Sequence, residues 1–223
     1  VLATEQASKT LLALANLVVE MLEETNIYIK TKNQENAKAV FSLETAVNSI
    51  DKKLHNFCIK LSGAVLSNED TKKLNVIMYS LRDYERIADL AQNTVIKMQN
   101  IFSTKEKITD EAVGEITKML DVCYLAVKDT INMFLQRDLK YGASVNEKEE
   151  YIDKLERKAI KNHMNRTREG KCVGSAAVIY VDIISDIERI GDHAVNIVEH
   201  YTYKDLVLTP EEENLDLSKF IVE

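Results

Sequence analysis

The chain has 223 residues, 45% of them hydrophobic and 29% charged, with a formal net charge of −7. That length and apolar share suffice for a buried core in one or two domains, while the acidic balance argues against nucleic acid, whose phosphates recruit clustered Lys and Arg. One proline, six glycines and no tryptophan suit long, uninterrupted helices, and no apolar run approaches the roughly 20 residues needed to span a bilayer.

The first helix is expected from about Leu2 to Thr31, with Leu11, Leu14, Val18, Met21, Leu22 and Thr25 at helical spacing. A polar break at Lys32-Asn33-Gln34-Glu35-Asn36 leads to a second helix. There Leu43, Val47, Ile50, Leu54, Phe57 and Leu61 step by threes and fours as a coiled-coil seam does. Beside that seam runs a polar ridge of Glu44, Asn48, Asp51 and His55. Gly63 closes this helix, Ser67-Asn68-Glu69-Asp70 reads as a cap, and a third helix runs from about Asp70 to Ile101.

The pattern then starts again. Ser103-Thr104-Lys105-Glu106 fits a capping box, and the fourth helix is expected to continue to about Leu139. Gly142 marks a turn and Ser144-Val145-Asn146-Glu147 another capping box, so the fifth helix is expected over about Val145 to Thr167. Its polar ridge is Glu149, Glu150, Asp153 and Glu156. Gly170 and Gly174 bracket the start of the sixth helix, which runs to about Tyr203. Thr209-Pro210-Glu211 is a plausible capped start for a short helix in the tail.

The third and sixth helices carry a repeated motif. Glu85-Arg86-Ile87-Ala88-Asp89-Leu90-Ala91-Gln92-Asn93 matches Glu188-Arg189-Ile190-Gly191-Asp192-His193-Ala194-Val195-Asn196 at six of nine positions, and matching residues lie 102–103 apart along most of the chain. Residues four apart share a helix face, so Glu85, Asp89 and Asn93 form one ridge and Glu188, Asp192 and Asn196 its twin. Beside them run apolar stripes: Leu74, Ile77, Met78, Leu81, Ala88 and Val95, then Val173, Ala177, Val181, Ile184, Ile187, Ala194 and Val198. Glycine in mid-helix costs about 1 kcal/mol relative to alanine, so Gly191 implies that another helix or a ligand presses on the backbone there.

These periods predict an all-α chain of two tandem three-helix bundles laid end to end, with all the stripes buried. Residues 1–103 form the first repeat, 104–205 the second, and 206–223 a tail. Cys58, Cys123 and Cys172 are odd in number, scattered and without CxxC, which predicts reduced core residues of a cytosolic protein. No Gly-rich phosphate loop, nucleophile with a base at useful spacing, or cofactor box occurs, so an enzyme is not expected.

At the doubled Glu-Arg-Ile-x-Asp-x-Ala-x-Asn, together with the Ile-Asp of the second and fifth helices, the chain resembles the PhoU family of phosphate-uptake regulators, over nearly its whole length. Asn162-His163-Met164-Asn165-Arg166 and Gly170-Lys171-Cys172 are similar to the PhoU-like domain that follows the membrane part of bacterial Na⁺/phosphate cotransporters. The start at Val1 rather than Met agrees with a domain cut from such a protein. That resemblance implies a regulatory domain at the cytoplasmic face of the plasma membrane. Its partner would be a phosphate-transporter membrane domain or phosphate-signalling proteins, with a homodimer also open; the alternative is a stand-alone PhoU regulator. It also implies a multinuclear metal site of iron or zinc, magnesium being a third candidate. Carried over, the ligands are Glu85, Asp89 and Asp51 in the first repeat and Glu188, Asp192, Glu150 and Asp153 in the second. Asn48 stands where the second repeat has Glu150, which makes the first site the weaker.

The competing explanation of the motif is that Arg86 and Arg189 pair with Asp89 and Asp192, each such exposed pair contributing about 0.2–0.5 kcal/mol. Asn93 and Asn196 either orient metal ligands or bond between helices. His193 is expected at a surface or edge, and His55 is a better ligand candidate because it shares the ridge of Asp51. A metal-dependent enzyme and a passive helical scaffold stand as competing functions.

Overall fold

The structure, a computed structural model, describes residues 2–203. These form six helices: α1 Leu2–Thr31, α2 Gln34–Ser62, α3 Asn68–Ser103, α4 Asp110–Gln136, α5 Lys140–Arg168 and α6 Gly174–Tyr203. No strand occurs among the described residues. The tail, with the helix start expected at Thr209-Pro210-Glu211, lies outside them.

Local chemistry sets several helix ends. The Asn33 side chain accepts from Glu35 N at 3.0 Å, and Ser67 Oγ accepts from Asp70 N at 3.1 Å while donating to Asp70 Oδ2 at 2.9 Å. The bonds from Glu35 N and Asp70 N each satisfy a backbone donor that has no partner within its own helix.

Two expected starts are displaced. Ser103 ends α3, and α4 starts at Asp110 beneath Thr109, whose Oγ1 accepts from Ala112 N at 3.1 Å. Glu106 serves a distant helix instead: its Oε2 accepts from Ala176 N at 2.8 Å and Ser175 Oγ at 2.7 Å, capping α6. Those donors hold its carboxyl below the ordinary glutamate range. Similarly, Gly142 is not the turn, because the chain reverses around Arg137, which takes a left-handed φ of 54°. Gly142 lies inside α5, where a Cβ would come within 2.9 Å of Val198 Cγ1 and 3.3 Å of Met133 Sδ, so its lack of a side chain lets the helices close. Ser144 caps nothing; its Oγ donates to Asp129 Oδ2 on α4 at 2.8 Å.

The bundles are not laid end to end but side by side. α1 packs on α2, α3 and α4, α3 on α6, and α4 on α5 and α6, so α1, α3, α6 and α4 form a ring flanked by α2 and α5. α3 explains why: Ser80, Leu81, Tyr84, Ile87, Ala88, Leu90, Ala91, Thr94, Val95 and Met98 are all buried, spanning more of the circumference than one bundle covers. Tyr84 Oη lies 2.8 Å from Thr130 Oγ1 on α4, bonding the bundles through their shared core.

The stripe of α1 is buried throughout. Elsewhere three stripe positions are exposed, Val173 at 55%, Val181 at 39% and Phe57 at 36%, and Leu43, Ile50, Leu61, Met78 and Ala177 are only half-buried. Val173 precedes α6, and α6 turns Tyr180, Ile183, Ile184 and Ile187 inward instead of Val181. On α2 the buried position is Cys58, one residue beyond Phe57. All three cysteines are buried and free.

Candidate functional site

The motif ridges of α3 and α6 face α2 and α5 respectively, and each pair of helices brings carboxylates together. In the first cluster Glu44 of α2 is 4% exposed and lies against Asp89 of α3. Glu44 Oε1 accepts from Asn48 Nδ2 at 3.2 Å, while its buried Oε2 has no hydrogen-bond partner among the described residues. Burial, then the Asp89 carboxylate, pushes the Glu44 carboxyl up to about 7. Burial, Asp89 and Asp51 push Glu85 up to about 7 as well. Asp51 is raised by burial and by Asp89, against the opposing influence of His55. His55 is exposed and lines the same concavity as Asp51 and Glu85.

The second cluster is larger. Asp153 and Glu156 of α5 and Glu188 of α6 each offer an oxygen within 4.8 Å of the others. Glu188 is pushed up to about 7 by burial, then by Asp192, Glu156 and Asp153. Glu149 and Glu156 are both raised by burial and by Asp153 and Asp192. Asp192, at the exposed rim, is raised by its partial burial and by Asp153.

Six of the seven candidate ligands therefore stand in these clusters, and three further acids join them: Glu44, Glu149 and Glu156. Glu150 is exposed and adds only its charge, raising Glu149 from beside it. The signal for Glu149 and Glu156 was present, since they fall at i−4 and i+3 from Asp153 on one helix face. Which face α5 turns inward is fixed by the buried Ile152, and a Cβ on Gly191 would meet Ile152 Cδ1 at 3.0 Å. The object pressing on Gly191 is thus a neighbouring helix.

The motif arginines do not close onto the motif acids. Arg189 Nη1 lies 3.8 Å from Asp186, and no carboxylate among the described residues comes within 4.0 Å of Arg86. Each cluster thus keeps an excess of carboxylates held at elevated proton affinity, which is a donor set for a cation with oxygen ligands. An orphaned buried oxygen on Glu44 and the three converging oxygens around Asp153 both fit such an ion.

Between the clusters lies a feature with no local signature along the chain. Asp83 of α3, 7% exposed, accepts from Asn196 Nδ2 at 3.2 Å and lies 2.8 Å from both His193 Nδ1 and His200 Nε2 of α6. These bonds hold its carboxyl below the usual aspartate value although burial opposes them. An ionised carboxylate only accepts, so His193 carries its proton on Nδ1 and His200 on Nε2. Asn196 thus bonds between helices, whereas Asn93 is exposed. Asp83 lies more than a hundred residues from these partners, so no local pattern announces it.

In the segment from Asn162 to Cys172, His163, Arg166 and Cys172 turn inward while most of the other residues are exposed. Arg166 stacks over Tyr180 at 5.2 Å with Nη2 2.7 Å from Glu115 Oε1, and His163 stacks on the same ring at 4.7 Å. Burial and the Arg166 charge hold His163 below its ordinary value.

Comparison with known proteins fits this duplicated architecture. The family model described as "PhoU domain" matches residues 11–97 and again 116–200. The chain is 28% identical over 190 residues to the phosphate-specific transport system accessory protein PhoU homolog 1 of Thermotoga maritima, covering 84% of this chain and 80% of that protein. To the corresponding Clostridium acetobutylicum homolog it is 19% identical over 201 residues, covering 89% and 90%. In fold it is similar to PhoU from Pseudomonas aeruginosa, with TM-score 0.83, 20% identity, and 91% and 97% of the two chains covered. The Streptococcus pneumoniae phosphate transport system regulatory protein PhoU gives TM-score 0.81 at 20% identity, over 92% and 96%. With both copies of the domain matched and a carboxylate cluster at each copy of the motif, the chain belongs to the PhoU family.

Proposed function

We propose that this chain is an accessory regulator of a phosphate transport system, acting at the cytoplasmic face on a transporter component or a phosphate-signalling protein, and that its carboxylate clusters bind metal cations. The observation that carries the reading is the duplicated cluster on a duplicated family domain. The relatives bearing the accessory-protein description match over most of their own length, 80% and 90% in the two compared. The stand-alone type of regulator is therefore better supported than a cotransporter tail. No helix among the described residues is long and apolar enough to cross a membrane. The regulatory half is tested by deleting the gene and following phosphate uptake at low and high external phosphate. Altered control with transport capacity retained is expected; unchanged control in both conditions sinks the idea.

The cation would be held by Glu44, Asp51, Glu85 and Asp89 in the first cluster and by Glu149, Asp153, Glu156, Glu188 and Asp192 in the second. It would neutralise carboxylates that otherwise repel, tying α2 to α3 and α5 to α6. The second cluster, with the larger donor set, is the tighter. Elemental analysis after stripping and re-adding Zn²⁺, Fe²⁺ or Mg²⁺ should show more metal lost from Asp192→Ala than from Asp89→Ala. The reverse order overturns the ranking. No metal in either protein, with stability indifferent to all three ions, overturns the assignment.

A further inference from the structure

The seam between α3 and α6 carries more cationic groups than the fold uses. A concavity of about 470 Å³ opens there, lined by Arg82, Arg86, Arg189, His193, Asn196 and His200. Arg82 and Arg86 lie one turn apart on α3, a spacing at which like charges repel. Neither has a carboxylate within 4.0 Å among the described residues. Arg189 reaches Asp186 only at 3.8 Å, and that carboxylate is already held by Lys97 Nζ at 2.5 Å. Three guanidinium groups thus converge on one hollow whose only acid among the described residues is Asp83, committed to His193, Asn196 and His200.

That network is a built floor. It fixes both imidazole rings and the Asn196 amide against α3, and Tyr79 stacks on His200 with ring centroids 5.3 Å apart. His193 Nε2 and His200 Nδ1 have no hydrogen bond among the described residues. A ring nitrogen without its proton accepts a hydrogen bond, and the guanidinium groups donate in forks that match tetrahedral oxyanions.

The flanks limit the size of what binds. The neighbouring hollow towards the first cluster shares Arg82 and Arg86 but ends on Asp51 and Glu85. The hollow towards the second shares Arg189 and His193 but ends on Glu149 and Asp192. An extended polyanion would run onto carboxylates at both ends. A compact anion would not.

We infer that the Arg82–Arg86–Arg189 cleft between α3 and α6 is a binding site for a compact, doubly charged oxyanion: a phosphate group, free or on a small carrier. The assignment stands on the geometry of the cleft and not on the regulatory reading above; its test contains no transporter, so either can fail alone. The test is equilibrium dialysis of chelator-treated protein against labelled inorganic phosphate and glycerol phosphate, at ionic strength held constant with chloride. Saturable binding with one site per chain is expected. Arg86→Gln with Arg189→Gln should weaken it more than tenfold while the melting curve stays in place, and the exposed Arg168→Gln, remote from the cleft, should leave it unchanged. Tighter binding of the ester assigns the carrier-borne group, and tighter binding of inorganic phosphate the free ion. Absence of saturable binding overturns the proposal. So does binding that ignores the arginine substitutions, or that appears only on re-adding metal and survives them, because the anion would then sit on the metal.

Discussion

The two carboxylate clusters carry nearly the same motif on α3 and α6, yet they are seated differently, and the difference comes from the helix opposite. At the same 102-residue offset that pairs Asp51 with Asp153, Val47 pairs with Glu149 and Leu54 with Glu156. α2 closes its cluster with apolar residues, Val47 at 0% and Leu54 at 2% exposure, and drives one acid, Glu44, into the interior. α5 replaces both with glutamates, keeps Ile152 and Ala159 as inner contacts, and leaves a wider, half-exposed acid set. One motif therefore yields a small, dry cluster and a large, wetter one. Charge number favours a cation at the second; desolvation raises the cost of leaving the first without one.

The sharpest way to break this comparison is to exchange the seam residues. Leu54→Glu places an unpaired charge in the apolar seam and should destabilise the protein by about 3 kcal/mol or more. Glu156→Leu should change stability by no more than about 1 kcal/mol in chelator, while weakening metal binding at the second cluster. Thermal unfolding followed by circular dichroism distinguishes them; equal melting temperatures would mean that α2 does not seal its cluster.

A smaller effect follows from Glu44. Its carboxyl is raised from 4.5 to about 7, so the folded chain holds this proton more tightly than the unfolded chain. The associated stability is complete below about pH 4.5 and is lost as the pH rises through about 7. Glu44→Gln, which needs no proton, should therefore stabilise metal-free protein by about 1–2 kcal/mol at pH 7.5 and change little at pH 4. Glu188→Gln should gain less, because solvent screens the half-buried second cluster. Urea unfolding at the two pH values reads this directly, and a gain at Glu188 equal to that at Glu44 would remove burial as the distinction.

The smallest effect is expected at the residue between the motif acids. Gly191→Ala should shift stability by less than about 1 kcal/mol, since better helix propensity is offset by the 3.0 Å approach to Ile152 Cδ1. Ala88→Gly in the first repeat has no such offset and should cost about 1 kcal/mol. Chemical denaturation of the pair settles it: stabilisation by the full propensity difference at position 191 would mean that α5 has room to spare.

Much of this molecule was legible along the chain. Helix identity, the internal repeat and the fully buried stripe of α1 follow from apolar spacing, which is a local property. Ser67 behaved as a cap for the same reason. The errors fall where two local signals compete. Ser103 to Glu106 and Ser144 to Glu147 both have the composition of a cap, but Glu106 finds unpaired donors at the start of α6 and Ser144 finds Asp129 on α4. Gly142 resembles a turn residue yet serves close packing inside α5.

By itself, then, the sequence determined six amphipathic helices, their duplication and the two motif ridges, because a helical phase of 3.6 residues is written into consecutive residues. Tertiary structure alone decided which acids meet. The rotation of α5 about Ile152 brings in Glu149 and Glu156 and leaves Glu150 outside, and the packing of α2 buries Glu44. It also decided that the bundles lie side by side, which creates the Asp83–His193–His200 network and the arginine cleft from residues more than a hundred positions apart. Charges on two helices converge only once their apolar faces have docked, and that docking is a property of the whole core.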